Sequence, residues 1–131
     1  MIFIDSNIPM YLVGADHPNK TDARRLLERS ILDGEALVTD VEVFQEILHR
    51  YTAIGRREAI PPAWQLLTSI SDEVIGLELA DVAAARDLIL AGADSSARDA
   101  IHVAVMRRLG CERILTFDRA FDSVPGVRRV T

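Results

Sequence analysis

The sequence predicts an α/β fold: a mostly parallel sheet of about five short strands with helices on both faces. Three observations predict it. Short β-rich runs alternate with longer segments of helical character. Gly34, Gly55, Gly92 and Gly110 each follow a helical stretch, where a C-terminal cap favours positive φ. The chain has 131 residues, 49% hydrophobic and 27% charged, which suits one layered core and not a disordered polymer. We therefore expect a single domain over residues 1–131.

The first strand is Ile2-Phe3-Ile4, at the start of MIFIDSN. A helix is expected near 20–33, and after Gly34 the run EALVT at 35–39 reads as the second strand. Val43, Phe44, Ile47, Leu48 and Tyr51 form one apolar stripe, which predicts a helix over 40–54. Pro61 and Pro62 mark the start of the next, near 62–71, because a helix N-terminus tolerates proline. On it, Trp64, Leu67 and Ile70 make a short stripe that suits either core packing or a partner surface. Residues 73–75 (EVI) form the third strand, and a helix follows near 78–91. The segment 96–109 is apolar on nearly every side until Arg107, the mark of a central, buried helix. CERILT at 111–116 and VRRV at 127–130 complete the strands.

Several classes are disfavoured. Cys111 is the only cysteine, so there is no intrachain disulfide and no cysteine-based zinc site. No apolar run approaches the roughly 20 residues of a membrane span, and no basic leader precedes an apolar stretch. The expected location is cytoplasmic, without a membrane partner. The net charge of −5 argues against a large basic surface. Yet Lys20 is the sole lysine among fifteen basic residues, and the arginines include adjacent pairs at 24–25, 56–57, 107–108 and 128–129. Guanidinium forks suit phosphate, although solvated helix faces and a tail are the plainer account of such pairs.

The acids carry more information. In an open α/β sheet, ligands bind beyond the carboxyl ends of the strands. Asp5 ends the first strand and Asp118 follows the fourth. Asp99 sits in the first turn of the buried helix, and Glu46 in the second turn of the helix after strand two. All four can converge at one edge. Each also has a plainer role. Asp5 could cap the next helix, and Asp118 the turn at 119–121. Ser96-x-x-Asp99 and Thr39-x-x-Glu42 match capping boxes. Four acids at one edge repel, however, and no Lys or His is expected from the same loops to offset them. Divalent ions would do so, since Mg²⁺ and Mn²⁺ prefer carboxylate and water oxygens.

Asp5 with Ser6-Asn7, Glu46 within its helix, Asp99-Ala-Ile-His102 and Thr116-Phe-Asp118 resemble, in this order, the PIN-domain nucleases. The compact length resembles the VapC-type toxins of toxin–antitoxin pairs. The resemblance covers essentially the whole chain. It implies a three-layer α/β/α sandwich and an endoribonuclease that hydrolyses RNA with Mg²⁺, Mn²⁺ being able to substitute. It also implies a homodimer restrained by a small cognate antitoxin. By motif, Asp5, Glu46, Asp99 and Asp118 would be the catalytic and metal-site acids. Asn7 and Thr116 fall where supporting polar groups occur, and Asp122 is a possible auxiliary acid. One or two ions would serve such hydrolysis.

Other readings weigh less. Glu46-x-x-His49 and Asp99-x-x-His102 look like the pairs of di-iron bundles, but alternating strands argue against a bundle. His49 falls opposite the apolar stripe, towards solvent, and His17 sits in a polar loop. Receiver-like domains and haloacid-dehalogenase-like phosphatases need a lysine near the phosphate, and Lys20 lies far from any strand end. A PIN-like RNA-processing nuclease outside toxin–antitoxin systems, or a non-catalytic acidic docking module, are the alternatives that stay open.

Overall fold

The computed structural model describes residues 1–131. Five strands form one all-parallel sheet in the order β3-β2-β1-β4-β5. They are β1 (Ile2–Ile4), β2 (Leu37–Asp40), β3 (Glu73–Ile75), β4 (Arg113–Leu115) and β5 (Arg128–Arg129). Six helices cover it, as parallel connections require. These are α1 (Asn7–Val13), α2 (Pro18–Leu32), α3 (Val41–Ala53), α4 (Ile60–Ile70), α5 (Leu79–Leu90) and α6 (Ala97–Leu109). The architecture is the expected three-layer α/β/α sandwich.

Strand β1 is central, with Phe3 opposite Val38 on one side and Ile114 on the other. Ile2, Phe3 and Ile4 are all buried, which is why this strand reads as a continuous apolar run. The stripe on α3 divides: Val43, Phe44, Ile47 and Tyr51 enter the core, while Leu48 stays exposed. On α4, Leu67 is fully buried and Trp64 lies at the rim, edge-on to Phe44. Helix α6 buries Ala100 and every residue from His102 to Met106, as its composition predicts.

The differences are local. Helix α1 lies outside the expected helical segments and carries Pro9. Proline is harmless there: as the third helical residue, its missing N–H falls among the first-turn donors without intrahelical partners. Helix α2 starts at Pro18, two residues earlier than expected, because the His17 ring accepts the Asn19 N–H at 3.0 Å. The box at Thr39-x-x-Glu42 is not formed. Asp40 caps α3 through Val43 N–H at 2.9 Å, and Thr39 donates instead to the Ile4 carbonyl across the sheet. No helix is long and apolar enough to cross a membrane.

This strand order fixes where a ligand can sit. Connections leave β1 towards β2 and β3 on one side, while β4 and β5 lie on the other. The chain diverges between β1 and β4, so a crevice opens at their carboxyl ends. Asp5 follows β1 there, and Thr116 follows β4.

Candidate active site

A cleft of about 520 Å³ occupies that position. Asp5, Glu46, Asp99 and Asp118 all line it. Four elements deliver them: the end of β1, the second turn of α3, the first turn of α6 and the loop after β4.

Asp5 is the most firmly fixed. It is buried, with one oxygen accepting Ser6 N–H at 2.7 Å and the other the Thr116 hydroxyl at 2.6 Å. Asn7 donates to the same oxygen at 3.3 Å and to Thr116 Oγ1 at 2.9 Å. Its own carbonyl oxygen accepts Phe117 N–H at 3.2 Å. Asn7 and Thr116 thus lock the end of β1 to the end of β4 and orient Asp5 between them. Burial pushes the Asp5 carboxyl above its ordinary range, against the pull of the His102 charge and the Thr116 bond.

Asp99 separates the capping role from the site role. Ser96 caps α6 by accepting the Asp99 backbone N–H at 3.1 Å. The Asp99 carboxylate does not complete the box and lines the cleft instead. Its pKa is raised to about 6, first by burial and then by the neighbouring charges of Asp5 and Asp118. Asp118 does both jobs, since Oδ1 accepts Ala120 N–H at 2.9 Å while the residue borders the cleft. Asp122 does not belong to this group. Arg129 takes both of its oxygens, at 2.8 and 2.9 Å, and it is absent from the cleft wall.

Glu46 revises the expectation that no histidine reaches the acids. His102, on α6, is completely buried and lies between two carboxylates. Nε2 is 2.6 Å from Glu46 Oε1, and Nδ1 is 2.8 Å from Asp40 Oδ2. Burial alone would lower the His102 pKa, but these bonds and charges carry it well above 6.5. With a carboxylate oxygen at each nitrogen, the ring is placed to donate from both. Glu46 accordingly lies below its ordinary range, burial being outweighed by His102 and by the Ser6 hydroxyl at 2.6 Å. His49 is exposed, as its helical position predicts.

Three groups receive no site role from the sequence: Asp40, and Ser6 and His102, which enter it only within motifs. One signal was present. A histidine on a helix that is apolar all round must find polar partners or lose heavily on burial.

A PIN-domain family model matches residues 2–127. The chain belongs to that family. It is 57% identical over 130 residues to ribonuclease VapC13 of Mycobacterium tuberculosis, and equally to a VapC ribonuclease of Mycobacterium bovis, with 99% of each chain covered. Ribonuclease VapC23 of M. tuberculosis is 42% identical over 123 residues, covering 94% of this chain and 97% of that one. Among solved structures, M. tuberculosis VapC20, a sarcin–ricin-loop-cleaving toxin, superposes with a TM-score of 0.74 at 22% identity, covering 94% of both chains. VapBC2 of Rickettsia felis, bound to a promoter DNA fragment, superposes with a TM-score of 0.73 at 14% identity, covering 98% of this chain and 97% of that one. At such identities the structural likeness is one of fold. In this PIN domain the shared fold places the acid cleft at the β1/β4 divergence.

The donor set fits a divalent ion. Asp5, Glu46 and His102 each have a possible ligand atom within 4.8 Å of the others. Of these, the two carboxylates suit a hard cation, whereas His102 has both nitrogens engaged by acids. The Asp99 carboxyl is raised first by burial and then by the charges of Asp5 and Asp118, which share the cleft with it.

Proposed function

We propose that this PIN domain is a divalent-metal-dependent endoribonuclease that hydrolyses RNA phosphodiester bonds as the toxin of a toxin–antitoxin pair. The observation that carries the reading is the convergence of Asp5, Glu46, Asp99 and Asp118 in one cleft. Their only buried counter-cation, His102, is committed to Asp40 and Glu46 and leaves Asp5, Asp99 and Asp118 unpaired. The similarity to VapC ribonucleases over the full chain supports the same reading.

Asp5, Glu46, Asp99 and Asp118 would hold the ion, which we assign as Mg²⁺ with Mn²⁺ able to replace it. When bound, such an ion acidifies water and offsets charge building on the phosphate. The chain's own residues prepare the site. Thr116 and Asn7 fix Asp5, and Ser6 fixes both Asp5, through its N–H, and Glu46, through its hydroxyl. Preset carboxylates need little reorganisation when charge develops. Arg50, Arg56 and Arg98 line the same cleft and offer guanidinium groups to flanking phosphates, while Tyr11 offers an aromatic surface to a base. Asp122 has no part in this scheme.

The proposed partners are RNA, a second copy of the chain and a small antitoxin that brings a cation to the acidic edge. RNA incubated with the protein and Mg²⁺ or Mn²⁺ should be cut, and excess chelator should stop it. Equal cleavage in chelator overturns the metal-dependent reading. The complex with such an antitoxin should not cut.

A further inference from the structure

His102 lies behind the cleft, against Glu46 of its wall, and the acid set leaves its role unexplained. Its ring is wholly buried and tilted against Phe3, with centroids 5.3 Å apart. Asp40, equally buried, spends one oxygen on the α3 cap and the other on His102 Nδ1. Glu46 in turn spends Oε1 on His102 and Oε2 on Ser6. An unbroken line of bonds therefore runs from the start of α3, through α6, back to α3 and on to the turn after β1. Every buried polar side-chain atom of the protein has a partner.

We propose that His102 is a positioning residue: anchored by Asp40, it holds the Glu46 carboxylate towards the divalent ion and is not itself a ligand. The proposal rests on reading the cleft as an ion site. Geometry separates it from the competing assignment, in which His102 joins Asp5 and Glu46 as a nitrogen ligand. To ligate, Nε2 would have to abandon a 2.6 Å bond to Glu46 inside a fully buried pocket. Nδ1 points the other way, into Asp40. A ligand held in place by an outer partner loses roughly 10–100-fold in metal affinity when that partner is removed.

Asp40→Asn is the informative variant, because Asn keeps the shape and an oxygen for the Val43 N–H while weakening the hold on the ring. Mn²⁺ binding to the full chain is measured by calorimetry, beside the melting temperature in chelator. The expected result is a folded Asp40→Asn protein whose Mn²⁺ affinity falls about 10-fold or more. RNA cleavage should fall at limiting Mn²⁺ and recover as Mn²⁺ is raised. His102→Gln should act in the same direction; should it fail to fold, Asp40→Asn still decides. An electron spin-echo spectrum of wild-type protein with Mn²⁺ should show no directly bound histidine nitrogen. A lowered melting temperature with unchanged Mn²⁺ affinity makes the bridge merely structural and overturns the proposal. A directly bound His102 nitrogen, abolished in His102→Gln or, if that variant does not fold, still present in His17→Gln/His49→Gln, overturns it in favour of ligation. A wild-type protein that binds no Mn²⁺ overturns the ion site itself, a separate failure visible before any variant is made.

Discussion

Helices α5 and α6 pack against each other and each carries an aspartate as its third residue, Asp81 in one and Asp99 in the other. The two carboxylates are treated in opposite ways. Asp81 reaches back to the Glu78 N–H at 3.0 Å and receives a two-pronged Arg108 guanidinium at 2.8 and 3.0 Å. The Arg108 bond holds it below the usual carboxylate range, against the effect of burial. Asp99 makes no such return bond, turns to the cleft beside Asp5 and Asp118, and rises to about 6. The same residue at the same helical position is structural in one case and available to a ligand in the other. What decides is the neighbour, not the motif.

The largest expected difference is catalytic. Asp99→Asn should lower RNA cleavage at least about 100-fold, equivalent to about 2.7 kcal/mol in the barrier, as should Asp5→Asn and Asp118→Asn. Asp81→Asn, provided it is folded, should cut RNA at the wild-type rate. Loss of cleavage in both helices' variants would break the contrast.

Next comes stabilisation by the ion. At 100 times its dissociation constant, Mn²⁺ should stabilise wild type by about 2.7 kcal/mol, read as a rise in melting temperature. Asp81→Asn should keep this gain and Asp99→Asn should lose most of it. Without metal the order reverses. Asp81→Ala should lose about 1.5–3 kcal/mol, the scale of a hydrogen bond to a charged group. Asp99→Asn in chelator at pH 7 should melt at or above wild type, because Asn can still occupy the first turn without the charge.

The pH dependence sharpens the same comparison. Between 3.8 and about 6, folded Asp99 retains a proton that the unfolded chain has released. Its contribution to stability is therefore present at low pH and lost as pH rises through about 6. The advantage of Asp99→Asn should be largest at pH 7 and vanish near pH 4. Asp81, with a lowered value, contributes above 3.8 and loses that contribution as pH falls through its folded value. The penalty of Asp81→Asn should likewise be largest at pH 7 and fade in acid. Two melting series in chelator test both signs. The smallest effect belongs to His49→Ala, whose exposed ring should leave cleavage unchanged.

Legibility in the sequence followed the range of the interaction. Strand β3 and the ends of α3, α5 and α6 fall within a residue of their expected positions, because periodicity, glycine stops and cap residues act locally. The convergence of the four acids was also legible, since strand alternation alone places them at one edge. The bridge Asp40–His102–Glu46 was not. Its members lie 62 and 56 residues apart, and the apolar setting of His102 says that it needs polar partners without saying which. Likewise Asp122 was legible as an acid near Asp118 but not as the partner of Arg129, which arrives on β5 seven residues later.

The bond from Thr116 to Asp5 spans 111 positions of the chain. During synthesis, at about 5–20 residues per second, Asp5 leaves the ribosome well before Thr116 has been added. Until β4 follows, β1 has a neighbour on one side only, and the crevice lacks one wall together with Asp118. A nascent chain that stops short therefore carries no assembled centre, however well its first helices have formed. The cleft gains Asp99 and Asp118 only after the first three strands have been made. For a ribonuclease translated from the kind of polymer it cuts, the order of its strands doubles as a delay.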